Sequence, residues 1–275
     1  MEKLIVLGTG NANAMRCYNT CFALRGKDGL ILCDAGGGNG ILRQLDAAHI
    51  GLEEIHHMIV THAHTDHLMG VVWIIRMIAT RINNGRYEGR LHIWIDADVG
   101  RGLMDMCTLM LQKKMYSHIG QDILLHDIAD GTQAVLAGRK ITFFDILSTK
   151  MKQFGFTAEL EDGRRLCCLG DEPYNPGCET YVQGADWLLC EAFCLYGDRE
   201  RFKPYEKHHS TVKEASELAH QLHVPHLVLW HTEDQTYPHR KALYTAEGRQ
   251  YYQGDLHVPD DLETIDLSYQ GGTSS

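Results

Sequence analysis

The chain has 275 residues, 44% of them hydrophobic and 23% charged, a composition that excludes intrinsic disorder and fits one large domain over residues 1–275. A formal charge of −10 excludes broad electrostatic capture of a nucleic-acid backbone and leaves room only for a local basic patch. The opening MEKLIVLGTG is too short an apolar run for a secretory signal and no later run reaches a membrane span, so the expected setting is the cytoplasm, with no membrane partner.

Taken in chain order, short runs dense in Val, Ile, Leu and aromatics predict strands at 3–7, 20–24, 29–34, 57–61 and 91–95. Apolar residues at three-to-four spacing predict helices at 41–48, 71–82 and 102–116, with a loop at 83–89. The second half repeats the mixture. Strands are expected at 140–145, 154–160, 165–169 and 186–191, a helix at 212–222, strands at 226–231 and 263–267, and a frayed tail at 268–275. Two strand-rich halves that each contribute helices imply two packed sheets with helices outside. Nine irregularly spaced cysteines fit reduced thiols in the core. Cys167-Cys168 and Cys190-x-x-x-Cys194, the pairs to weigh as metal ligands, lie in or beside apolar strands and read as packing.

The densest chemistry is T-H-A-H-T-D-H, Thr61 to His67, directly after an apolar strand. Residues two apart in an extended segment face the same way, so His62 and His64 can address one ion. The chain then turns helical, which puts Asp66 and His67 at a helix start, aimed at a neighbouring position. Imidazole and carboxylate at this density suit zinc or iron, and two adjacent ions would activate water as a nucleophile at neutral pH.

This His-x-His-x-Asp-His run resembles the signature of the metallo-β-lactamase superfamily, and further segments match in order. They are Leu7-Gly8-Thr9-Gly10, Asp34-Ala35-Gly36-Gly37-Gly38, Leu169-Gly170-Asp171 and Leu229-Trp230-His231. The resemblance implies an α/β fold, an αββα sandwich of two mixed sheets flanked by helices. It also implies metal ligation by His62, His64, Asp66, His67, Asp171 and His231, with Asp171 bridging. His208-His209-Ser210-Thr211 resembles the ribonuclease Z branch; on that likeness His209 protonates the leaving oxygen or holds the phosphate, and Asp66 orients the attacking hydroxide. The cofactor implied is zinc, as one or two ions, with manganese or iron as alternatives; the partners are a small phosphodiester or a nucleic-acid end, and a second copy in a homodimer.

The sequence departs from the pattern in one ligand. The third histidine of the first metal should fall at Leu147 or Thr149, and neither residue type holds zinc well. One complete and one weakened metal position are therefore expected. No Gly- and Pro-rich arm stands between Val71 and Lys140, and Lys113-Lys114 and Lys150/Lys152 read as solvated basic faces. Gly36–Gly40 reads as a turn that lets chains pass close to the metals. His56, His57, His220, His223, His226 and His239 read mostly as solvated, with one or two orienting the ligands from behind. Three functions compete: a phosphodiesterase; an ester, lactone or thioester hydrolase on the same site; and a metal-poor binder of a nucleotide or protein.

Overall fold

In the computed structural model, which describes residues 2–268, fourteen strands form two seven-stranded sheets. The first half of the chain supplies β1 (Lys3–Gly8), β2 (Cys21–Gly26), β3 (Gly29–Cys33), β4 (Ile55–Ile59), β5 (Leu91–Asp96) and β6 (Ile123–Ile128). The second supplies β7 (Gln133–Leu136), β8 (Arg139–Asp145), β9 (Phe154–Glu159), β10 (Arg165–Cys168), β11 (Trp187–Glu191), β12 (His226–Trp230) and β13 (Asp255–His257). A last strand, β14 (Thr264–Asp266), returns to pair antiparallel with β1.

The sheet orders are β14-β1-β2-β3-β4-β5-β6 and β13-β12-β11-β10-β9-β8-β7. Each sheet is mixed. Strands β14 to β3 pair antiparallel and β3 to β6 parallel, while β7 to β10 pair antiparallel and β10 to β13 parallel. The parallel halves are built from crossover units, so their helices must cover the outer faces.

Alternation along the strands assigns the faces. In β1, Leu4 and Val6 point between the sheets, where they meet Phe22, Phe143, Phe156 and Trp230. Ile5 and Leu7 point outward, into a layer with α1 (Gly40–Ala47) and α2 (Thr65–Asn83). Beyond the first sheet also lie α3 (Ala97–Met110) and α4 (Lys113–Tyr116); beyond the second lie α5 (Glu179–Val182), α7 (Val212–Gln221) and α8 (Arg240–Gly248), while α6 (Arg199–Phe202) packs Phe202 with Phe193 and Cys194. Leu188, Cys190, Leu227 and Leu229 pack there against Val212, Ala215, Ala219 and Tyr244. The layers run helix, sheet, sheet, helix, the αββα sandwich expected.

Several elements differ from the sequence reading. The helix expected at 102–116 starts earlier, at Ala97, because the Asp96 carboxylate caps the backbone N–H groups of Asp98 and Val99. It stops at Met110, where Leu111 is extended, and restarts as α4. Strands β6, β7 and β13 and helix α8 were not read: β6 interrupts its apolar run with His126-Asp127, and β7 and β13 are short edge strands that pair on one side only. The tail expected at 268–275 lies, apart from Ser268, outside the described residues.

Candidate metal centre

The candidate residues converge where strand ends meet loops. After β4 the chain stays extended through His64, the N-cap of α2, and Asp66 falls in the first turn. A carboxylate there is favoured by the unsatisfied N–H groups of the helix N-terminus. Asp171 follows β10 across Gly170, which takes φ +81°, and His231 follows β12 with φ +55°. His209 sits in the loop before α7, tied by its N–H to Pro204 O at 2.9 Å.

The turn after β3 sets the ring orientations. Asp34, itself at φ +55°, accepts the Thr61 N–H at 2.9 Å on one oxygen, and the Thr61 hydroxyl at 2.7 Å and His67 Nδ1–H at 2.8 Å on the other. The Thr61 hydroxyl, its proton spent on Asp34, accepts His62 Nδ1–H at 2.9 Å. Both rings therefore present Nε2 lone pairs to the site. Gly70 lets α2 pass this turn: a Cβ there would lie 1.9 Å from Ala35 O, and its N–H donates to Gly36 O at 2.8 Å. The outer partners of the ligands are thus Asp34 and Thr61, not the additional histidines suspected from the sequence.

At the centre stands one oxygen. Asp171 Oδ2 lies 3.3 Å from His62 Nε2 and 3.7 Å from each of His64 Nδ1, His67 Nε2 and His231 Nε2. Asp66 Oδ2 is 3.4 Å from His67 Nε2. The donors fall into two groups of metal-binding spacing, His62 with His64 and Asp171, and Asp66 with His67 and His231. His67 Nε2 and Asp171 Oδ1 are buried without a hydrogen-bond partner, a costly arrangement that a cation would relieve. The residues fit a metal.

The electrostatics agree at four of these ligands; at a fifth, His67, Asp34 and Asp66 overcome burial and raise the imidazole well above its usual range, so a bound cation would have to displace its proton. Burial opposes the charge on Asp171, yet His62 and the neighbouring histidines overcome it and hold the carboxyl well below its usual range. Asp66 is likewise held low against its burial by His67 and His231. Burial pushes the His62 imidazole down and that of His231 to about 3, which keeps both neutral as ligands must be.

His209 is not part of either group. Its ring stacks on Phe193 at 4.9 Å and 3° and lies 5.3 Å from the His231 ring. Glu191, fully buried at the end of β11, places Oε2 3.6 Å from His209 Nδ1 and accepts the Ser210 N–H at 2.5 Å. Burial alone would lower the His209 pKa, but Glu191 reverses the sign and raises it. A pocket of about 540 Å³ is bounded by His64, Asp66, Asp171, His209 and His231, together with Phe193, Lys150 and Lys207.

The sequence model of the Beta-lactamase superfamily domain family matches residues 30–232, which contain every candidate ligand. The chain belongs to the β-lactamase superfamily. Among its relatives, the ribonuclease Z of Bradyrhizobium sp. is 24% identical, over 86% of this chain and 92% of that protein. The ribonuclease Z of Salinispora arenicola is 24% identical over 97% of this chain and 96% of that protein. Two solved structures share the fold of this superfamily member end to end. The metallo-β-lactamase fold protein YhfI of Bacillus subtilis has a TM-score of 0.77 at 16% identity, covering 96% of this chain and 98% of its own. The short form of human tRNase Z has 0.74 at 19%, covering 97% and 100%.

Within this β-lactamase superfamily chain, the structure also shows where the two positions expected for a third histidine lie. Leu147 has φ +60°, is half exposed, and lays its side chain over Gly177. Thr149 Oγ1 faces His208 Nδ1 at 3.3 Å. Neither lines the central pocket; Lys150 and Met151 do. Lys150, read from the sequence as a solvated face, is exposed and also lines the pocket. Glu191 also escaped that reading, although a carboxylate ending an otherwise apolar strand was a visible signal. Cys167, Cys168, Cys190 and Cys194 are buried free thiols in the core, as read. Among the described residues none joins a metal-binding group.

Proposed function

We propose that the chain is a metal-dependent phosphodiesterase of the ribonuclease Z-like kind, acting in the cytoplasm on a nucleic-acid end or a small phosphodiester. We propose further that residues 1–275 work as one domain and pair as a homodimer. The observation that carries the activity is Asp171 Oδ2, within 3.3–3.7 Å of a nitrogen on each of four histidines, with His209 opening on the same pocket. The ribonuclease Z names of the relatives support a phosphodiester over other electrophiles. No helix among the described residues is long and apolar enough to cross a membrane.

Zinc suits this imidazole and carboxylate set, as one or two ions, with manganese or iron as alternatives; when bound it supplies Lewis-acid polarisation and acidifies water near neutral pH. His62, His64, Asp66, His67, Asp171 and His231 would hold it. Asp66, ionised and lining the pocket, accepts a hydrogen bond from the attacking water and aligns it with phosphorus. As the new P–O bond forms, the water's proton leaves through Asp66 to solvent, the bond to the leaving oxygen breaks with its electron pair, and His209 passes its proton to that oxygen. Glu191 favours the protonated ring and steadies it against Phe193.

The test is a substrate panel with metal-loaded protein: bis(4-nitrophenyl) phosphate, 2′,3′-cyclic nucleotides, a 3′-extended RNA, a lactone and a thioester. Cleavage of a phosphodiester that is lost in His209→Ala with metal content intact is the expected result. Turnover of the lactone or thioester without any phosphodiester cleavage would overturn the reading.

A further inference from the structure

We propose that Lys150 and Lys207 form an anion subsite beside the candidate metal ligands, fitted to a second phosphate on the substrate, one linkage from the scissile phosphodiester. The substrate class is then a nucleotide or nucleic-acid end that is itself phosphorylated. The subsite rests on the phosphodiesterase reading for the identity of the neighbouring group, though not for its own charge.

The chain carries 36 acidic and 26 basic residues, so its surface opposes a polyanion, yet the pocket bounded by the candidate ligands His64, Asp66, Asp171 and His231 is lined by Lys150 and Lys207. Among the described residues its lining carboxylates are Asp66 and Asp171, which belong to the metal groups. A lone phosphodiester carries about one negative charge, which a protonated His209 and a cation held by the metal donors would already address. Two further ammonium groups make sense for a substrate with more charge than that. Lysine, a compact cation on a flexible stem, serves phosphate as a point charge.

Lys150 is held there by construction. The resemblance places a histidine ligand in its loop, but here the loop is folded onto Glu172, a buried carboxylate next to Asp171. Glu172 Oε1 accepts the Ser148 hydroxyl at 2.8 Å and Gln153 Nε2–H at 3.3 Å. Lys150 Nζ lies 3.8 Å from the same oxygen, outside hydrogen-bond distance. Glu172 therefore holds the ammonium at the pocket edge as an ion pair, with its N–H donors left for a ligand. Lys207 Nζ stands 4.8 Å over the Phe193 ring, whose stacking on His209 ties this second cation to the proposed proton donor. The loop has exchanged a metal ligand for a substrate-facing charge.

Two measurements decide the matter. First, metal-loaded wild type is given 4-nitrophenyl thymidine 5′-phosphate and the same compound bearing a 3′-phosphate. The phosphorylated substrate should show a kcat/KM at least ~10-fold higher, mainly through KM, and Lys150→Ala and Lys207→Ala should each shrink that ratio, whereas Lys150→Arg keeps most of it. Second, calorimetry on chelator-treated protein should detect thymidine 3′,5′-bisphosphate binding that weakens ~10-fold in Lys150→Ala and with rising salt. Equal kcat/KM for the two substrates in wild type, or bisphosphate binding indifferent to both lysine variants, would overturn the subsite. If neither substrate is cleaved, the phosphodiesterase reading falls, and the binding measurement still decides the subsite alone.

Discussion

The two ligand groups of this site are built to different standards. Asp66, His67 and His231 are all buried, and His67 is locked from behind by Asp34. In the other group His62 is equally buried and equally supported through Thr61, but His64 keeps 30% of its side chain exposed, and the loop that should bring a third histidine brings Lys150. Preorganised donors hold an ion with little reorganisation, whereas an exposed ligand must be ordered when the ion arrives. The two donor groups, which meet at Asp171, are therefore unequally preorganised for an ion, one tight and one loose.

The largest effect should come from breaking the joint. Asp171→Asn removes the charge that faces all four histidines, so metal content measured by elemental analysis should fall toward zero. Hydrolysis should drop by more than the ~10–100-fold that loss of an orienting partner costs. Retention of both ions would mean that the groups bind independently and the asymmetry is only apparent. The comparison sharpens with one ligand from each side. His231→Ala should lose the tightly held ion, while His64→Ala should lose only the ion removed first by brief dialysis against chelator; equal losses would put the two positions on a par. Next comes Asp34→Ala, which frees the His67 ring and Thr61 together and should weaken metal affinity ~10–100-fold in both positions without changing the ligand set.

How much of this was legible beforehand depended on whether the information was local. Thr61 to His67 reads as a metal motif because four donors lie within six residues of one strand-to-helix turn, where spacing fixes direction. Asp171 and His231 are single residues at strand ends, legible only through the ordered resemblance, and the structure brings them within 3.7 Å of each other. The sandwich was legible from its β1 to β5 and β8 to β12 runs, while β13, three residues long, depends on its neighbour β12 to exist as a strand. Glu191 and Lys150 are tertiary facts. Nothing near Glu191 says that Ser210, nineteen positions on, will close over it, and nothing near Lys150 says that Glu172 will fold its loop inward.

The smallest effect expected is at Leu147, one of the two positions that the family pattern offers for the third histidine. Restoring a histidine by Leu147→His looks from the sequence like a repair of the loose position. The backbone argues otherwise. Leu147 sits in the left-handed region, its N–H bonded to the Asp145 carboxylate at 2.8 Å, and its side chain lies over Gly177 and away from the central pocket. A histidine placed there would inherit that direction, and turning it toward His62 would require the 147–153 loop to leave Glu172, with the loss of the Ser148 and Gln153 bonds. Zinc stoichiometry and the affinity of the weaker ion, followed by competition with a chromogenic chelator, should therefore match wild type within error. A clear gain in the weaker affinity would show that the loop refolds readily, and that the asymmetry between the two positions resides in one side chain and not in the path of the backbone.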